Sequence, residues 1–162
     1  MIIACLVLVA TIIPISRAGA TLTTSEKNML TLINNARTKR GLHKVAVVSS
    51  LQRAARSHST SMLSRDYFSH YSYSGSTFAT RLLSFGYSRK GCTFWKVGEV
   101  IGWGKGTYGT ARSVFRSWMR SSAHRTVIFT KCWRGCGVGS KRGSYGALSG
   151  VRMFTVDFGR RY

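Results

Sequence analysis

GEVIGWGKGTYGTARSVFRSWMRSSAHR, residues Gly98 to Arg125, concentrates the least ordinary choices of the chain. A glutamate opens the stretch, a glycine-rich turn and an amphipathic helix fill it, and a histidine closes it. The whole sequence holds four acidic residues, and Glu99 stands between Val97 and the pair Val100-Ile101. An unpaired carboxylate is costly to bury, so Glu99 needs a partner, and histidine is the obvious one. His124 lies at the far end of the stretch, and His70 lies upstream in Y-F-S-H. The expectation is a His70/Glu99/His124 cluster assembled by the fold, with Glu99 buried within hydrogen-bond reach of an imidazole.

Within the stretch, Ala111, Val114, Phe115, Trp118 and Met119 share one helical face. Arg112, Arg116 and Arg120 form an i, i+4 row opposite, where each like-charge step costs about 0.2–0.5 kcal/mol. The Trp118 face must therefore carry the helix, and the arginine row is a candidate anion-binding ridge. Gly104 to Gly109 spells G-x-G-x-x-G, but no acidic residue follows until Asp157, so the ribose-binding carboxylate of a dinucleotide site is missing and the segment reads as a turn.

Outward from this centre, Thr23 and Glu26 form a capping box at the start of a helix running to about Arg40, with Met29, Leu32, Ile33 and Ala36 as its buried stripe. Ser49 or Ser50 caps a second helix in which His58 shares an apolar face with Leu51, Ala54, Ala55 and Met62. Thr77 starts a short third helix that ends at Gly86. Residues 88–97 read as a loop. After His124 the pattern turns to strands: a short glycine-rich segment from Gly135 to Ser140, then Phe154, Val156 and Phe158 alternating with Thr155 and Asp157. Asp157-Phe158-Gly159 spells a kinase triplet, but the H-R-D loop that would give it meaning is missing.

A chain of 162 residues is one domain in size. Residues 1–20, an apolar run ending in Ala18-Gly19-Ala20, read as a secretory signal, which leaves a secreted, monomeric domain over residues 21–162. That domain has no further stretch long and apolar enough to span a bilayer. Without Arg17 it holds 24 basic against four acidic residues, a net charge of +20. Dispersed charge of this size attracts polyanions through a broad field: an anionic cell-wall polymer, lipid headgroups or acidic polysaccharide, with no device for reading nucleic-acid sequence. Cys92, Cys132 and Cys136 suit an oxidising compartment, and the expected bridge joins Cys92 to Cys132 or Cys136, leaving one thiol.

L-I-N-N-A-R, A-x2-H-S-x2-M, Y-F-S-H, G-E-V-I-G-W-G, W-M-x-S-x2-H-R, G-V-G and D-F-G, in this order, resemble bacterial members of the CAP superfamily of SCP-like domains, relatives of cysteine-rich secretory, antigen-5 and pathogenesis-related proteins. The resemblance implies an α+β fold, a three-layer α-β-α sandwich around a central antiparallel sheet. It also implies a cleft carrying two His and two Glu, whose His pair holds a divalent metal such as zinc in some members. His70, Glu99 and His124 match three of these four. Ser121 stands where eukaryotic members have the second Glu, and His58 matches an extra helix histidine of bacterial relatives. Val100 replaces the usual Asn, and Ser122-Ala123 replace a Pro-Gly pair, which is expected to loosen the turn that aims His124.

Two kinds of function follow from these residues. One is a binding or defence module without turnover and without a required cofactor. The others are catalytic: a zinc hydrolase using His70, Glu99 and His124 as ligands around an open position, or a cationic nuclease using His70 and His124 as acid and base.

Overall fold

The computed structural model describes residues 21–162; the signal segment read over residues 1–20, with Cys5, lies outside them. Helix α1 (Thr24–Thr38) starts at the Thr23 cap with both arms of the capping box in place. A two-residue strand β1 (Ala46–Val47) leads into α2 (Ser49–Ser64). Here Val48 occupies the cap and no side chain caps the helix, so the serines lie inside its first turn and not before it. Helix α3 (Phe78–Ser84), capped by Thr77, is followed by strand β2 (Trp95–Lys105), a 3-10 turn (Gly106–Gly109), α4 (Ala111–Arg120) and α5 (Ser122–Ile128). Strands β3 (Gly135–Tyr145) and β4 (Leu148–Arg161) complete the chain.

The sheet order is β1-β3-β4-β2. Its three long strands are antiparallel, while β1 joins the far edge in parallel through Ala46 and Val47. Side chains of Val100, Phe154, Val156, Phe158, Cys136 and Val138 pack against α1, α4 and α5, with Met29, Ile33, Trp118 and Ile128 closing that core. On the other face Leu51, Ala54, Leu82 and Tyr87 pack with Val97 and Trp95, and Met62, Ile101 and Met153 form a further cluster. The sandwich is therefore α-β-α with both sheet faces covered.

Strand β2 takes in the end of the segment read as a loop, β3 runs beyond the Ser140 end expected for it, and close packing explains the glycines in both. A Cβ at Gly137 or Gly139 would fall onto the α2 backbone at Leu51 or Ala55, so β3 carries glycines because a helix lies directly on it. Gly102 in β2 makes room for the Trp118 indole in the same way, its absent Cβ lying 2.8 Å from Nε1.

Buried amides complete the backbone pairing that this packing leaves open. Gln52 donates to the Val138 carbonyl (2.6 Å) and accepts from the Val138 N–H (2.8 Å), while Asn34 does the same for Val45 at 3.1 and 2.9 Å. Gln52→Leu is therefore expected to cost roughly 2–6 kcal/mol, two buried backbone groups at about 1–3 kcal/mol each. Urea unfolding checks this; a loss under about 1 kcal/mol would mean that water or neighbouring groups replace the amide.

Among the described residues the expected bridge from Cys92 to Cys132 or Cys136 is not formed, and all three cysteines are free. Cys136 points into the α1/α4 core beside Phe158 and Val138, where burial pushes its thiol up to about 12. Cys92 is held near the C-terminus by Thr93 and Phe94, whose N–H groups donate to the Tyr162 carbonyl.

Candidate functional site

β2 is an edge strand, and its midpoint is where charge enters the interior. Glu99 sits directly opposite Asp157 of β4; both side chains face the α2/α3 layer and both residues are buried. Two residues hold the Glu99 side of the pair. His70, on the loop after α2, approaches one Glu99 oxygen with Nδ1 at 2.8 Å. Arg81 of α3 pairs with the other oxygen through Nη2. The second arm of Arg81, Nη1, reaches the His70 carbonyl (3.4 Å) and the Ser72 hydroxyl (3.2 Å). One guanidinium thus holds both the carboxylate and the loop that carries its histidine.

Neither Asp157 oxygen has a hydrogen-bond partner among the described residues, and the facing polar group is the Glu99 carboxyl, so two ionised carboxyls here would repel each other. Arg81 lies on the Glu99 side, which leaves Asp157 as the carboxyl that favours its neutral form. Burial drives the Asp157 carboxyl well above the usual range, helped by the Glu99 charge. Burial also pushes Glu99 up to about 7, with Arg81 opposing.

The histidines follow from this arrangement. Burial, then the Arg81 charge, lowers His70 below its ordinary value, so it is neutral near pH 7. Its contact with Glu99 is then a hydrogen bond from Nδ1–H, which leaves the Nε2 lone pair free on a side chain that is 49% exposed. His58 is pushed down to about 4 by burial and by Arg81. It bonds the Ser69 carbonyl through Nε2 (2.9 Å), holding the same loop from beneath and not facing the cleft.

His124 comes from the opposite layer. Ser122 and Ala123 do not loosen a turn; they begin α5, and Ser121 is its cap, its hydroxyl accepting from the His124 N–H at 3.4 Å. Ser121 therefore positions His124 and supplies no cleft acid. The His124 ring stacks on Trp118, with centroids 6.2 Å apart, and its Nδ1 is buried without a partner. Burial lowers its basicity, and His70 lowers it further. The Trp118 indole donates to the Ile101 carbonyl at 2.9 Å.

Together His70 and His124 flank an open cleft of about 530 Å³ along β2, walled by Phe68, Tyr71, Trp103 and Trp118. Both Glu99 oxygens are engaged, and among the described residues no three His, Cys, Asp or Glu side chains form a group that could hold a metal ion. Arg112, Arg116 and Arg120 are exposed on α4, and none of them lines the cleft. Arg81 and Asp157 are the members of the site that sequence reading missed. The scarcity of acids was a usable signal for Asp157, since one of only four lay in an apolar strand; Arg81 carried none.

A family model described as the cysteine-rich secretory protein family matches residues 30–158. The uncharacterized protein YkwD of Bacillus subtilis is 31% identical over 122 residues, which cover 75% of this chain and 44% of that protein. The chain spans less than half the length of the curated relatives it matches. Among solved structures, an outer surface protein of Borrelia burgdorferi superposes with a TM-score of 0.69 at 18% identity, covering 89% of this chain and 99% of that one. An extracellular SCP-domain protein of Bacillus anthracis gives 0.66 at 23% identity, with 86% and 44% covered. At these identities the superpositions establish the fold.

The two raised carboxyls set a pH dependence. Unfolded carboxyls titrate near 4, so a pair with raised values makes its full contribution to stability below about pH 4 and loses it as pH rises, through about 7 for Glu99. Asp157→Asn keeps the shape and gives Glu99 a permanent donor. The stability difference, variant minus wild type, should grow from pH 5 to pH 8, with contributions from His58 and His70 largely cancelling in that comparison. Denaturant unfolding at both pH values measures it, and a difference that does not change with pH would show that burial does not raise these carboxyls.

Proposed function

Since the chain belongs to the cysteine-rich secretory protein (CAP) family, we propose that it is an extracellular, monomeric binding module whose cleft between His70 and His124 takes a ligand without turning it over. The observation that carries this reading is the commitment of both acids away from the cleft. Glu99 has no exposed side-chain surface and both its oxygens are held by His70 and Arg81, and Asp157 lies behind it. What faces the ligand is a set of aromatic walls with the His70 Nε2 lone pair, which suits an apolar body bearing one hydrogen-bond donor. The names of the matched proteins, outer surface, extracellular and secretory, support export. No helix among the described residues is long and apolar enough to cross a membrane.

Zinc held by His70 and His124 alone would leave half its coordination to water, so titration is expected to show no saturable zinc site at micromolar concentration. Nile red, a neutral apolar probe, should bind saturably and lose affinity about tenfold in Trp103→Asp, which puts a charge on a cleft wall. Ester, glycoside, peptide and phosphodiester substrates should show no hydrolysis that disappears in His70→Ala, with or without added zinc. Turnover that depends on His70 would replace this reading with the hydrolase or nuclease one.

A further inference from the structure

One arrangement of basic charge has no packing explanation. On the β3–β4 hairpin, Arg142 and Arg152 stand directly opposite each other, a like-charge cross-strand pair that destabilises a sheet. No carboxylate relieves it. Glu26 is bound to Arg56 and Thr23, Asp66 accepts from the Gly146 N–H, and Glu99 and Asp157 belong to the buried cluster. Among the described residues the only side-chain hydrogen-bond partner of Arg152 is the Ser140 hydroxyl at 3.2 Å. Arg142 folds over Gly150, where φ is +71° and a Cβ would stand 3.5 Å from Nη2.

The pair opens on a cavity of about 310 Å³ bordered by the 3-10 turn at Gly106 and Gly109, the same glycine run that failed as a dinucleotide fingerprint. Asn28, Thr110 and Ala111 also line a second cavity of about 530 Å³, between α1 and the start of α4, which ends at Arg112. The two form one furrow with a guanidinium pair at one end, a single guanidinium at the other and amide and hydroxyl groups between. It shares no lining residue with the His70–His124 cleft.

We propose that this furrow binds a linear phosphodiester polymer with a polyol backbone. Arg142 and Arg152 both line the first cavity, so each can present its planar guanidinium to one phosphate there, and an anion held between them would offset the repulsion of two like charges in register. Cations at both ends call for a ligand with more than one anionic group, and Asn28 and Thr31 between them match backbone hydroxyls. No aromatic side chain lines either cavity, so the base stacking that sustains single-stranded nucleic-acid binding is not provided.

The test uses a glycerol phosphate hexamer, with calorimetric titration across a range of salt. Arg142→Gln/Arg152→Gln should weaken binding at least about tenfold and reduce the log-log salt slope by about 1.4, roughly 0.7 per lost contact. The melting temperature should be unchanged or raised, because the like-charge pair is gone. Arg116→Gln/Arg120→Gln removes the same charge from outside the furrow and should change affinity less than about threefold. Equal weakening by both pairs would overturn the proposal in favour of a diffuse field, and the absence of saturable binding would overturn it outright. Full competition by inorganic phosphate at the concentration of the hexamer would reduce the site to a free-phosphate site. A DNA hexanucleotide that binds as tightly, with the same dependence on Arg142 and Arg152, would reassign the ligand class.

Discussion

The Arg81 guanidinium, set against two carboxyls on neighbouring strands, is the interaction on which the site depends. Burying Glu99 and Asp157 side by side would be prohibitive if both were ionised, and a lone buried carboxylate is costly in itself. Burial raises the Asp157 carboxyl and so favours its neutral form, and Arg81 balances the Glu99 charge. Such clusters are weak evidence for stability and are strongly destabilising when one partner is removed. Their effect here is geometric. Arg81 reaches from α3 into the sheet and also holds the His70 carbonyl, so the short α3, the loop after α2 and the edge strand are fixed relative to one another by one side chain.

The same scarcity of acids shapes the surface. The four acids serve a helix cap joined to an ion pair, a hairpin contact and the buried cluster. None of them is left as a dispersed counter-charge, so the remaining basic residues meet solvent largely uncompensated. That produces a long-range field, and where topology forces two arginines into register, as at Arg142 and Arg152, the field becomes a local geometry.

What was legible in the sequence, and what was not, divides along physical lines. The α4 stripe, the Thr23 capping box and the need of Glu99 for histidine rested on periodicity, local hydrogen bonding and desolvation, which act within a few residues or through composition. Strand β2 was hidden because its glycines look like turn residues, although Gly98 answers to the bulk of Trp133, Gly102 to that of Trp118 and Gly104 to the backbone of the 3-10 turn. The alternation of Phe154, Val156 and Phe158 with Thr155 and Asp157 marks a strand but does not report that α2 covers its second face, where Asp157 is buried. Nothing local marks Arg81 or Arg37, each of which is buried on carbonyls or carboxylates far away in sequence. Cysteine spacing, likewise, does not report that Cys136 points into a core.

The placement of the cleft follows from the sheet itself. An edge strand presents unpaired backbone groups that invite pairing with another chain, and β2 is such an edge over eleven residues. Trp118 covers it by taking the Ile101 carbonyl with its indole N–H, and the loop bearing His70 covers it from the other layer. The two covers leave a gap, and His124, stacked on Trp118, lines its wall. Blocking the edge therefore puts two imidazoles and several aromatic rings around a space that backbone pairing can no longer fill, and a small ligand is what such a space admits.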